Sequence, residues 1–372
     1  MNKAILIWGA NPRVDADKGY AHAFAQSSNN FGNTLIGNAV HSFLSKNEIL
    51  TPPQLASPAE ANERCSHVVI PAANWLWKGF DFGDIADFLE KTNLPVTIIG
   101  LGAQTSDRTV ISSIHPNTMR LVRLIADRSA SLGVRGFYTA EVLAANGIHN
   151  VEVIGCPSIY TSRLPVLKID SARLAGPPAL AVNFSRRVIE HSFNPRAMMA
   201  IENAVLQIGL ESDSLFVAQD ELQELALSAG EDVNTSGLKS YFSSVAPDDV
   251  EQFFKSRTRY FHNVEEWSTF IGTRTLSIGS RFHGNLIALF NGVPAIFVVH
   301  DSRTMELCSL IGAPTLHVNE LGDRLDIKEL LQERIADVSF ARFESSYVAL
   351  YRRFVAFLDR NGLDHNLPSP VL

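Results

Sequence analysis

Short, unbroken apolar runs alternate with helical stretches along most of this chain, and that alternation limits its possible folds more than any other feature. Ala4-Ile5-Leu6-Ile7-Trp8 carries no polar side chain. A strand that is apolar on both faces belongs in a parallel sheet covered on both sides; a sheet with one solvated face would alternate apolar and polar residues. The same signal returns at Val68-Val69-Ile70, Val96-Thr97-Ile98-Ile99, Leu132-Gly133-Val134 and Val151-Glu152-Val153-Ile154. Helical spacing predicts helices over 34–44, 84–90, 118–126 and 138–145, the last stopping at Asn146-Gly147, a C-terminal signal. Strand and helix in turn describe a doubly wound α/β domain.

Residues 157–178 break the pattern: they hold Pro157, Pro165, Pro177 and Pro178, show little periodicity and read as a linker. A second series follows. It runs from the strand Leu180-Ala181-Val182-Asn183-Phe184 through a helix over 195–208 to the strand Leu215-Phe216-Val217-Ala218. A helix over 220–228 takes Asp220 as its N-cap. A polar loop over 231–244, a helix over 248–257, the strand Leu276-Ser277-Ile278, a helix over 285–290 and the strand Ala295-Ile296-Phe297-Val298-Val299 complete the series. An aromatic-rich helix over 340–358 comes last. At roughly 100–200 residues per domain, 372 residues make two domains. We expect them at 1–165 and 179–337, the first on the acceptor side and the second on the donor side, with 338–372 a C-terminal helix packing back on the first. Two such sheets would set a cleft between their carboxyl ends, where open α/β sheets bind ligands.

The formal charge of −7, from 32 basic and 39 acidic side chains, gives no basic field for nucleic acid. An anion would need a local pocket of Arg, Lys or helix N-terminal amides. Cys65, Cys156 and Cys308 form no CxxC pair and read as buried thiols in a reducing compartment. No metal is expected: Asp81 and Asp84 lack ligand spacing. The first apolar run is too short for a signal segment, and no window approaches the roughly 18 apolar residues of a membrane span. The expectation is a cytoplasmic protein, with any attachment at the inner face of the membrane peripheral and through partners.

The chemistry concentrates between Thr275 and His300. A strand passes at once into Gly279-Ser280-Arg281-Phe282-His283-Gly284, then a helix that ends at Asn291-Gly292 before Pro294. The helix N-terminus offers N–H groups and about half a positive charge. Arg281 adds a planar cation suited to phosphate or carboxylate, and His283 a group that donates a proton near neutral pH. Gly279 and Gly284 let backbone approach a ligand closely. Arg135, followed by Gly136, stands at the end of a first-domain strand as a second cation. Trp75 and Trp77 beside Asn74 are candidates to stack on a sugar, and Asn183 and Arg186 to line the cleft.

These residues also carry a resemblance. The segment Gly279 to Gly284, continued by Gly292-Val293-Pro294 and the strand to Asp301, resembles the C-terminal signature of the polysaccharide pyruvyl transferase family. Asn30-Phe31-Gly32-Asn33 is similar to that family's Asn-x-Gly-Asp turn, Ile99-Gly100-Leu101-Gly102 to its glycine-containing strand end, and Val134-Arg135 with Leu143 and Gly147 to its arginine strand and helix. The resemblance implies two Rossmann-like domains facing across a cleft, as in GT-B glycosyltransferases. It implies phosphoenolpyruvate as donor, with no further cofactor, and a sugar or glycan as acceptor. On the family pattern Arg281, Phe282 and His283 match the donor-binding segment and Arg135 its other donor-binding arginine; with Ser280 and Gly284 beside them, we expect the donor there, Arg281 and His283 as the catalytic pair, and Asn30, Asn33, Trp75 and Trp77 toward the acceptor. Two departures stand out: Asn33 replaces an acidic residue, which puts any base role there in doubt, and Arg303 stands where the family often has Lys. Two other readings fit the same turn. A nucleotide-sugar glycosyltransferase would place a diphosphate there and use a carboxylate such as Glu306 for the ribose; a non-catalytic sugar- or anion-binding protein would bind without turnover.

Overall fold

The computed structural model describes residues 3–9, 11–15, 17–103, 113–322 and 326–370. The chain divides into two compact units. The first comprises Met1–Pro12, Ile36–Val166 and Ser346–Leu372, and the second Arg13–Leu35 and Leu167–Ser345.

The first unit holds a six-stranded sheet of β1 (Ala4–Ile7), β2 (Ile49–Leu50), β3 (Cys65–Pro71), β4 (Val96–Leu101), β5 (Leu132–Val134) and β6 (Val151–Val153). Their order is β2-β1-β3-β4-β5-β6, and every pairing is parallel. The unbroken apolar runs of β1 and β4 are buried along their whole length, as a sheet covered on both faces requires. The long helix Ala341–Arg360 supplies part of this core: Phe354 stacks on Tyr160 at 3.9 Å and meets Phe43 edge-on at 5.2 Å. Asn366 anchors the following segment to the Phe43 and Ser42 carbonyls at 2.8 and 2.9 Å.

The second unit holds β7 (Ala179–Asn183), β8 (Asp213–Val217), β9 (Thr258–Arg259), β10 (Leu276–Gly279), β11 (Ala295–Val299) and β12 (Thr315–His317). They too pair only in parallel, in the order β9-β8-β7-β10-β11-β12. That is the 3-2-1-4-5-6 order of a Rossmann domain, with its reversal between β7 and β10. Phe184, Phe216, Phe242 and Phe254 form an aromatic cluster over β7 and β8. Both units are therefore Rossmann-like α/β domains.

Four local expectations are corrected. The helix after β8 is Leu222–Ser228 with Glu221 at its N-cap, because the Asp220 carboxylate turns to Arg281 instead of capping. The polar strip 231–244 contains the helix Ser236–Tyr241, held by the buried Leu238. The helix after β10 begins at Phe282, three residues earlier than its apolar spacing shows. Residues 157–178 hold the 3-10 turns Pro157–Tyr160 and Ser171–Ala175, and Ile159 and Tyr160 are buried. Cys65, Cys156 and Cys308 are buried thiols. Among the described residues no helix is long and apolar enough to cross a membrane, and no group of three His, Cys, Asp or Glu side chains is placed to hold a metal ion.

Candidate functional site

The second unit reverses its strand order between β7 and β10, and the carboxyl ends of these two strands are tied together. Gly279 closes β10 with φ +149°, a conformation that strains any residue with a side chain, and a Cβ there would collide with the Asn183 carbonyl at the end of β7. The backbone approach foreseen for a ligand at Gly279 is thus taken up by β7. Asn183 accepts from the Ser280 amide with its carbonyl at 3.2 Å and from the Arg281 amide with Oδ1 at 2.7 Å. Its Nδ2 donates to Asn285 Oδ1 at 2.9 Å, and Asn285 Nδ2 donates to the Gly279 carbonyl at 2.8 Å. Two asparagines therefore fix the turn that opens the helix Phe282–Phe290.

Arg281 is the N-cap of that helix, and the residue is 4% exposed. The guanidinium points back into the unit. Its Nε donates to the Phe184 carbonyl at 2.9 Å and to Glu221 Oε1 at 2.8 Å, and its Nη2 pairs with both Asp220 and Glu221. Burial pushes the Glu221 carboxyl up to about 8, against the pull of Arg281. For Asp220, burial opposes ionisation, but the charge of Arg281 and hydrogen bonds outweigh it, and the carboxyl is held below its ordinary value. Another buried carboxyl, Glu202, is raised by burial and receives hydrogen bonds from the Ser185 amide at 2.8 Å, the Tyr241 hydroxyl at 2.7 Å and the Ser280 hydroxyl. Arg186 pairs with Glu224 through two bonds of 2.6 and 3.0 Å.

His283 and Gly284 occupy the first helical turn. A Cβ added to Gly32 would lie 2.7 Å from His283 Nδ1, 2.9 Å from Asn30 Oδ1 and 2.5 Å from Gln219 Oε1. The turn Asn30–Gly32, some 250 residues away in sequence, thus packs against His283 within the second unit. It is built by Asn30 Oδ1 accepting from the Gly32 amide at 2.8 Å and by the Phe31 amide donating to the Gln219 carbonyl at 2.9 Å. Asn33 starts the next helix and ties its Nδ2 to the Ser27 carbonyl at 3.0 Å.

Arg135 belongs to the first unit. It is 4% exposed; its Nε donates to the Gly100 carbonyl and its Nη1 to Asn74 Oδ1, both at 2.9 Å. Trp75 stacks on Phe82 at 4.1 Å, while Trp77 and Phe80 meet edge-on and are both partly exposed, at 40% and 43%. Glu306 is buried on the helix Ser302–Ile311. Gln219, a central member of the second unit's cluster, escapes sequence reasoning. The signal that could have found it is its place just past the end of β8, on the same sheet edge as the turn after β10.

A family profile described as polysaccharide pyruvyl transferase matches residues 12–302, more than three quarters of the chain. The chain belongs to the polysaccharide pyruvyl transferase family. The matched span takes in the Asn30 turn, Arg135 and the whole segment from Gly279 to Gly284, so the clusters described above lie within the part shared with this transferase family. No curated protein matches the chain. Solved structures similar to it include Staphylococcus aureus MnaA with UDP (12% identity, all of both chains, TM-score 0.48) and Anabaena HepE with UDP and glucose (9% identity, 98% of this chain and 97% of that one, TM-score 0.44). A UDP-N-acetylglucosamine 2-epimerase from Rickettsia bellii is similar at 11% identity over 96% and 97% of the chains, with a TM-score of 0.44. Likenesses this distant carry no argument about substrate or site.

Proposed function

We propose that this member of the family transfers the pyruvyl group of phosphoenolpyruvate to two hydroxyls of a sugar in a glycan, forming a pyruvate ketal and releasing phosphate. The observation that supports it is the helix N-terminus of Phe282–Phe290, set at the strand-order reversal of the second unit with His283 in its first turn. First-turn amides have no partner within their own helix and suit an acid group of the donor.

The reaction needs a proton on the methylene carbon, which becomes a methyl group. Positive charge then develops on the adjacent carbon, and a sugar hydroxyl adds there and loses its proton. Phosphate leaves with its bonding electron pair, and the second hydroxyl closes the ketal and gives up its proton. We assign the initial protonation to His283; general acid catalysis of this kind contributes roughly 10²–10⁴-fold. Because the Arg281 guanidinium is already shared by Asp220 and Glu221, its principal part is to hold the turn so that the amides and His283 face the donor. A direct contact with the donor would require it to exchange one of those carboxylates.

The test is phosphate release from phosphoenolpyruvate with galactoside, glucoside and mannosaminide acceptors. Turnover on one of these is expected, and His283→Ala should lower kcat by at least about 10²-fold with donor binding retained. A wild-type rate in His283→Ala overturns the acid assignment. A thermal shift with a nucleotide-sugar and none with phosphoenolpyruvate overturns the donor assignment.

A further inference from the structure

A buried hydrogen-bond donor without an acceptor calls for a physical explanation, and a bound group is one. Gln219 is such a case. It is 1% exposed, and its Nε2 meets no acceptor. Its backbone is engaged: the amide donates to Glu221 Oε2 at 2.6 Å, and the carbonyl accepts from the Phe31 amide. The carboxamide lies between two glycines. Its Oε1 is 2.5 Å from the point a Gly32 Cβ would occupy, and its Nε2 is 2.9 Å from the corresponding point at Gly284. A side chain at either position would strike it. Gly284 is in the first turn of Phe282–Phe290, so the unpartnered NH2 group sits beside that helix's N-terminus, and His283 Nδ1 borders the same Gly32 point.

We propose that Gln219 contacts the donor, giving a hydrogen bond from Nε2 to a carboxylate or phosphate oxygen seated at the N-terminus of the helix Phe282–Phe290. This rests on the function proposed above and adds the residue that reads the acid group. A neutral amide suits the place: the Asp220 carboxylate follows directly in the chain, and another negative charge beside it would repel an anion. The terminal torsion of a glutamine side chain is broad, so the NH2 group swings toward an entering oxygen without a backbone shift.

The experiment is calorimetric titration of phosphoenolpyruvate, and separately of inorganic phosphate, into wild type, Gln219→Leu and Gln219→Glu, with each thermal midpoint recorded. Loss of a hydrogen bond to a charged group should raise the phosphoenolpyruvate Kd roughly 10- to 100-fold in Gln219→Leu, and further in Gln219→Glu. Folded variants that bind as wild type does overturn the assignment of Gln219 and leave the proposed function standing. A wild type that binds no phosphoenolpyruvate overturns both. If Gln219→Leu does not fold, the near-isosteric Gln219→Glu decides, together with the side-chain NH2 resonances of Gln219 in ¹⁵N-labelled wild type. Those resonances must move as phosphoenolpyruvate is added, and their remaining fixed overturns the proposal.

Discussion

Arg281 is surrounded by more acid than it neutralises. Two carboxyl groups share its guanidinium, and only Asp220 is stabilised in its charged form; Glu221, fully buried, is pushed up to about 8. Removing the cation would leave the Asp220 carboxylate without its ion-pair partner, so Arg281→Ala should destabilise the protein by about 3–5 kcal/mol, measurable by urea unfolding. Its activity would then report folding as well as chemistry. Arg281→Lys keeps the charge but loses the fork that reaches two carboxylates and a carbonyl, so a smaller loss of stability is expected. The sign of the pH dependence follows from Glu221. Its folded value lies above its ordinary 4.5, so between about 4.5 and 8 the folded protein holds a proton that the unfolded chain releases. That contribution is complete below 4.5 and is lost as pH rises through 8. Unfolding free energies of wild type and Glu221→Gln, measured from pH 5 to 8, should differ in slope, with wild type falling more steeply. Parallel curves would contradict the assignment.

At the scale of elements, β10 depends on one residue for its closing bend. Gly279→Ala must hold φ near +149° and drive a methyl group into the Asn183 carbonyl, so a loss of about 3 kcal/mol or more is expected from denaturant unfolding. In β3, His67 faces Thr97 at 2.8 Å and is pushed down to about 4 by burial. The unfolded histidine takes up a proton near 6.5 and the folded one does not until about 4. Stability should therefore fall by up to about 3 kcal/mol as pH drops through this window, and His67→Gln should flatten that fall. The strands legible in the sequence are those buried on both faces, such as β1, β4 and β11, because burial in a parallel sheet writes an apolar run directly. The edge strands β2, β9 and β12 are two or three residues long and leave no period to read. The turn at Gly279 was legible because glycine, arginine and histidine cluster locally. The partners that define its chemistry were not: Asp220, Glu221 and Gln219 look like the start of an amphipathic helix, and only tertiary structure turns them toward Arg281 and His283. The Asn30–Gly32 turn stands some 250 residues from His283, and no local pattern encodes that the two come together.

At the scale of the whole molecule, the chain leaves and re-enters each unit, and the last segment completes the first core. Phe354 is fully buried between Tyr160 and Phe43, so Phe354→Ala should cost about 3–5 kcal/mol in denaturant unfolding and open the first unit to proteolysis. Wild-type resistance in that variant would show that the helix Ala341–Arg360 is dispensable for the core. The same arrangement imposes an order on biosynthesis. Val166 is made about 180 residues before Ser346, where the chain returns to the first unit, which at roughly 5–20 residues per second is a delay of about 9–36 s. Through that interval the nascent first sheet lacks the helix that covers Tyr160 and Phe43, while the second unit receives all its residues by Ser345. The segment made first is therefore finished last, and until the final helix is made the Tyr160 and Phe43 rings lack the aromatic cover that Phe354 gives them.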